Sequence, residues 1–166
     1  MGRRKGSAAT LAGVVIAVQG AATAGAQVAP AAAPTPPPEV AAIAKTVDGF
    51  IDALNAADIA KMAPFFAADA TAFFPLAPFA ERLENKEQIT KVFTAFFESV
   101  RRGKTGPPFM NLVPQDVRLN LYGGAAIVTF HFKGPEIVSR RTLVLRNDSG
   151  TWLIVHLHAS NLAQNG

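Results

Sequence analysis

Gly150-Thr-Trp152-Leu153-Ile154-Val155-His156-Leu157-His158-Ala-Ser160-Asn161 is the stretch on which the reading of this chain turns. A β-strand shows its side chains to alternate sides. Strict alternation therefore predicts Trp152, Ile154, His156, His158 and Ser160 on one face, with Leu153, Val155 and Leu157 on the other. Both faces carry groups that need covering. Helices can cover one of them, and a second surface, which another subunit could supply, must cover the other.

Reading back from that strand, Asn147-Asp-Ser-Gly150 makes a turn and Ser139 to Arg146 a strand, which Gly134-Pro135 separates from the one before it. That earlier strand, Ala125 to Phe132, places Ala126, Val128, Phe130 and Phe132 on one face and Ile127, Thr129 and His131 on the other. Tyr122-Gly-Gly124 turns the chain, and Val117, Leu119 and Leu121 alternate with polar partners in front of it. The first half of the chain has a different period. Val40, Ile43, Val47, Phe50, Ile51 and Leu54 recur at helical steps, and the helix should end near Asn55. Asp58 can cap a short helix from Ile59 to Ala63, ended by Pro64, before a strand over Ala70 to Phe74 that Pro75 and Pro78 stop. Asn85 and Gln88 have capping-box spacing ahead of Ile89, Val92, Phe93, Phe96, Phe97 and Val100, and Arg101, Arg102 and Lys104 suit the carboxyl end of that helix. Helices first and strands after describe an α+β protein, with three N-terminal helices against one face of a curved antiparallel sheet.

A chain of 166 residues holds one domain of ordinary size plus extensions. Residues 1–26 read as a signal peptide: basic Gly2-Arg-Arg-Lys5, an apolar run from Ala8 to Val18, and Ala24-Gly25-Ala26 as a cleavage site. The apolar run is about half a bilayer span, which argues against a permanent anchor and predicts a secreted or periplasmic protein with no membrane span in its mature form. Residues 27–38, rich in Pro and Ala, form a stiff spacer, and residues 39–166 make the folded domain. No Cys is present, so disulfides, thiolate chemistry and lipidation of a Cys after the leader are excluded. The net charge of +4 includes Arg3, Arg4 and Lys5, and removal of the leader leaves 4 − 3 = +1. A nucleic-acid partner is thereby disfavoured.

The element order, together with Asp69-Ala-Thr71, Leu121-Tyr-Gly123-Gly-Ala125-Ala-Ile-Val-Thr129 and the ending Gly150-x-Trp152-x-x-Val155-His156-x-His158-x-Ser160, resembles the SnoaL-like branch of the nuclear transport factor 2-like superfamily. The ending is also similar to that of the association domain of calcium/calmodulin-dependent kinase II. What the resemblance implies is a cone-shaped fold over residues 40 to 162, a pocket between helices and sheet, and a homodimer formed through the other sheet face. Ketosteroid isomerase belongs to the same superfamily. Carried over from it, the oxyanion tyrosine falls on Phe50, the carboxylate base on Phe74 and the second donor near Thr142. Phenylalanine neither accepts nor donates a proton, so that reaction is rejected.

His156 and His158, with His131 on another strand, have the spacing of a metal-binding pair and a third ligand. Hydrogen-bonded packing is the better account of them, and neither a metal nor a cofactor is expected. The expected site is a cavity of Phe50, Phe74, Phe93, Phe97 and Trp152 with Thr129, His131, Arg140 and Thr142, and His156 or His158 is the candidate catalytic proton carrier. Arg140 and Thr142 share a strand face and Arg141 lies opposite, so only one of the two arginines can look inward. An inward Arg140 would favour an acidic ligand, through a charge-assisted fork. Asp48 and Asp52, spaced i, i+4, read as a solvated helix edge. The reading that follows is an exported domain binding a small, partly apolar molecule. An isomerase, cyclase or hydrolase using a pocket histidine, and a pure association module, compete with it.

Overall fold

Pro38 lacks the N–H that a first helical turn leaves unpaired, and it opens helix α1 (Pro38–Asn55). The computed structural model describes residues 36–75 and 81–164, so the leader and most of the spacer lie outside the described residues. One face of α1 buries Val40, Ile43, Val47, Phe50, Ile51 and Leu54, the six positions that the helical period selects. Asp58 caps helix α2 (Ile59–Met62) by accepting from the Lys61 N–H at 3.1 Å, and Pro64 sits in the 3₁₀ turn Ala63–Phe65 that follows. Strand β1 (Phe66–Phe73) starts four residues before the expected Ala70. Helix α3 (Lys86–Arg101) is capped by Asn85, whose Oδ1 accepts from the Gln88 N–H at 2.9 Å. Gln88 answers one residue upstream of the usual box, since its Oε1 accepts from the Glu84 N–H at 2.8 Å.

The remaining strands are β2 (Gln115–Tyr122), β3 (Ala125–Lys133), β4 (Ile137–Asp148) and β5 (Thr151–Ala163). They form an antiparallel meander, and the sheet order is β1-β5-β4-β3-β2. β1 runs parallel to β5, with Thr71 opposite His156 and Phe73 opposite His158, so the sheet is mixed rather than wholly antiparallel. The reason is connectivity. β1 is joined to β5 through α3 and three further strands, a connection long enough for the crossover that parallel neighbours require.

Between β4 and β5 the pairing slips: Leu145 faces Ile154, but Val144 faces His156, and Val155 is left over. One extra residue in a strand resets the alternation beyond it. Trp152 and Ile154 are buried on the helix side, and after the bulge it is Leu157 and Ala159 that are buried there. His156, His158 and Ser160 pass to the opposite face. The expectation of one face shared by Trp152, Ile154, His156, His158 and Ser160 is thus corrected, because periodicity cannot register a residue that has no partner.

Aromatic packing fills the helix side. Phe50 meets Phe66 edge-on at 5.8 Å between ring centroids and Phe93 at 6.5 Å, and Phe93 continues to Phe97 at 5.6 Å. Asn55, at the end of α1, ties down the loop before β2. Its Nδ2 donates to the Leu112 carbonyl at 3.1 Å, its Oδ1 accepts from the Leu112 N–H at 2.7 Å, and its own carbonyl accepts from Phe109 and Met110.

Across the outer face, Arg146 on β4 spans β5 to reach β1. Its guanidinium donates to both Asp69 oxygens at 3.0 and 3.2 Å and to both Asp148 oxygens at 2.6 and 3.0 Å. Arg146 holds the Asp69 and Asp148 carboxyls below the ordinary carboxylate range. A folded-state pKa that is depressed contributes stability above the unfolded value of about 3.9, and that contribution is lost as pH falls through the folded value. The melting temperature of Asp69→Asn is accordingly expected to lie below wild type at pH 7, with the gap closing as pH falls through the depressed folded-state value. A gap unchanged across a thermal-melt series from pH 7 to pH 2.5 would show that the clamp is idle.

Candidate functional site

The two sides of the sheet carry different chemistry. On the helix side, Phe74 lies 4.9 Å from Phe93, ring to ring, in an edge contact, and Trp152 is 3% exposed. The Trp152 carbonyl accepts from the Thr46 hydroxyl of α1 at 3.3 Å. Phe50, Phe74, Phe93, Phe97 and Trp152 therefore all belong to the helix-side packing, where they fill the core.

The polar part is elsewhere. Register places the outer-face residues in rows across neighbouring strands. Ile127, Val144, His156 and Thr71 form one row across β3, β4, β5 and β1. Thr129, Thr142, His158 and Phe73 form the next, and His131, Arg140 and Ser160 a third. The expected site residues thus divide into two groups separated by the sheet. Thr129, His131, Arg140 and Thr142 do not converge with the phenylalanines, and neither do His156 and His158. Arg140 is exposed on the outer face.

His156 is held by a neighbouring strand. Its Nδ1 is 2.8 Å from the Thr71 hydroxyl, which fixes the plane of the ring and leaves Nε2 free. Phe73 packs at 6.0 Å from the His156 ring and 5.9 Å from that of His158. Burial, followed by the nearby His158 and Arg82, holds the His156 pKa below the ordinary imidazole value. His156 is then a neutral base at pH 7 that can take a proton from a group approaching the outer face. Among the described residues, no three His, Asp or Glu side chains group closely enough to hold a metal ion. The Asp48 carboxyl is pushed up, by partial burial first and by neighbouring Asp52 second, on an otherwise solvated edge of α1.

Arg141 is the helix-side member of the arginine pair. It pairs laterally with Phe130 of β3 and Ala159 of β5, both buried on that side, and its guanidinium carbon lies 5.6 Å from the centre of the Phe132 ring. Burial lowers its pKa to about 10, so it stays charged at pH 7. Parity already set Arg141 apart from Arg140, but only the buried Leu143 and Leu145 on the same strand show which of the two faces the helices.

Three helices on one side of a five-stranded mixed sheet define the cone-shaped α+β class of nuclear transport factor 2-like proteins, and solved structures of that class superpose on the chain. A candidate dehydratase of the NTF2-like family from Streptomyces avermitilis aligns with a TM-score of 0.62 at 17% identity, over 75% of this chain and 96% of its own. A candidate ketosteroid isomerase from Shewanella frigidimarina aligns at 0.57 and 20% identity, over 72% of this chain and 94% of its own. A candidate calcium/calmodulin-dependent protein kinase II association domain from Xanthomonas campestris gives 0.52 at 22% identity, over 75% and 86%. Such identities carry the fold alone. The chain belongs to the SnoaL-like domain family, whose model matches residues 43–164. No curated protein sequence matches it.

Proposed function

We propose that this chain is an exported SnoaL-like binding domain. It takes a small, partly apolar molecule on the helix side of its sheet and pairs with a second copy through the outer face. The observation that carries this reading is the division of chemistry between the faces. The helix side offers phenylalanine rings and Arg141, without a histidine. The outer side offers the half-buried Ile127, Val144, Leu153 and Val155 between threonines and histidines, a mixed apolar and polar surface suited to a second copy. Chemistry of the ketosteroid isomerase kind has no support, since Phe50 and Phe74 stand where that chemistry needs proton-handling groups. The outer histidines cannot reach a helix-side ligand.

Native mass spectrometry tests both halves at once, on wild type and on Val144→Asp, after incubation with mixed metabolites. Wild type should appear as a dimer and the variant as a monomer, because a carboxylate placed in the contact loses its hydration when the second copy covers it. Both should retain the same ligand, since partner and ligand occupy opposite faces. A monomeric wild type removes the pairing, and ligand-free spectra remove the binding.

A further inference from the structure

Arg141 is a half-buried cation on the apolar side of the sheet. It lies on the middle strand of the sheet, on the face turned to the helices, between Phe130 and Ala159 and against Phe132. All 12 acidic side chains of the chain fall within the described residues, and none of them forms an ion pair with it. Arg146 is the contrast, with two carboxylates engaged at 3.0 Å and 2.6 Å. The one hydrogen bond that Arg141 makes among the described residues runs from Nη1 to the carbonyl of its neighbour Arg140, at 2.8 Å. A guanidinium has five N–H donors, so most of the fork is unused. The unused nitrogens are not sealed in, because no side-chain nitrogen among the described residues is both buried and without a partner.

A half-buried charge without a counter-ion is unfavourable, and a ligand that brings the counter-ion relieves it. The guanidinium carbon lies over the Phe132 ring at 5.6 Å, a cation–π contact that limits the side-chain freedom lost when an anion docks. We infer that Arg141 is the anchor for the carboxylate of a small monocarboxylic acid, whose apolar body rests against Phe130 and Phe132 on the helix side. This deepens the binding role proposed above and rests on it. It names the class of ligand, an apolar carboxylic acid, and the residue that selects it.

Calorimetric titration with octanoate and with octanamide, its uncharged counterpart of the same length, separates the possibilities. Wild type should bind octanoate roughly ten-fold more tightly than octanamide, the gain expected of one charge-assisted fork. Arg141→Met keeps the apolar length of the side chain and should bind the two equally, with octanamide affinity unchanged and a melting temperature that certifies the fold. Arg141→Lys keeps the charge without the fork and should show an intermediate preference. Equal binding of both probes by wild type overturns the assignment of Arg141 while leaving the binding role standing. A preference for octanoate that persists in Arg141→Met overturns it as well. If wild type binds neither probe, the ligand role itself falls.

Discussion

Phe50→Ala should remove about 3 to 5 kcal/mol of folding stability, the usual cost of replacing a buried phenylalanine by alanine in a packed core. Phe50 is 1% exposed and meets the rings of Phe66 at 5.8 Å and Phe93 at 6.5 Å, so it joins α1, the start of β1 and α3 in one contact. Small domains have a total stability of about 5 to 15 kcal/mol, and the variant should sit at or near the edge of folding. Urea unfolding followed by circular dichroism measures the difference. A loss under about 1.5 kcal/mol would mean that the rings repack freely, which is the behaviour of a loosely filled interior and not of this one.

The second large effect is expected at Asn55, where one side chain replaces a missing stretch of secondary structure. Asn55→Ala strips both hydrogen bonds to Leu112 and leaves a half-buried N–H and carbonyl without partners, at a cost of about 2 kcal/mol. Hydrogen exchange gives a sharper readout than stability, because the loss is local. The Leu112 amide should exchange far faster in the variant, while amides in the middle of β4 keep their relative protection. Unchanged protection at Leu112 would assign the order of that loop to something other than Asn55.

Most of the fold could be read from residue types. The apolar steps from Val40 to Leu54 mark a helix because few other arrangements bury that set together, and Asn85 with Gln88 fixes the start of α3 to the residue. Alternation in Ala125 to Phe132 correctly sorts Phe130 and Phe132 from Thr129 and His131. What could not be read depends on partners distant in sequence. The bulge at Val155 exists only relative to β4, and it moved both histidines to the other side of the sheet. The parallel pairing of β1 with β5 is equally invisible in either strand alone. For the candidate site residues, the common side of the aromatic ones follows from their spacing, and the side of the histidines does not. A slip of one residue in β5 is enough to exchange the faces of everything beyond it. Arg141 had a parity before the structure, but parity without a reference layer names no side.

The edge position of β1 bears on how the polypeptide reaches its final state. Within the described sheet β1 pairs along its length with β5, where Thr71 bonds to His156 across 85 residues, and α1 is tied to Trp152 across 106. The first half can pack on α3, where Phe93 meets Phe50 and Phe66, but β1 joins the sheet only once β5 is available. Completion of the sheet is therefore governed by long-range pairing and is correspondingly slow.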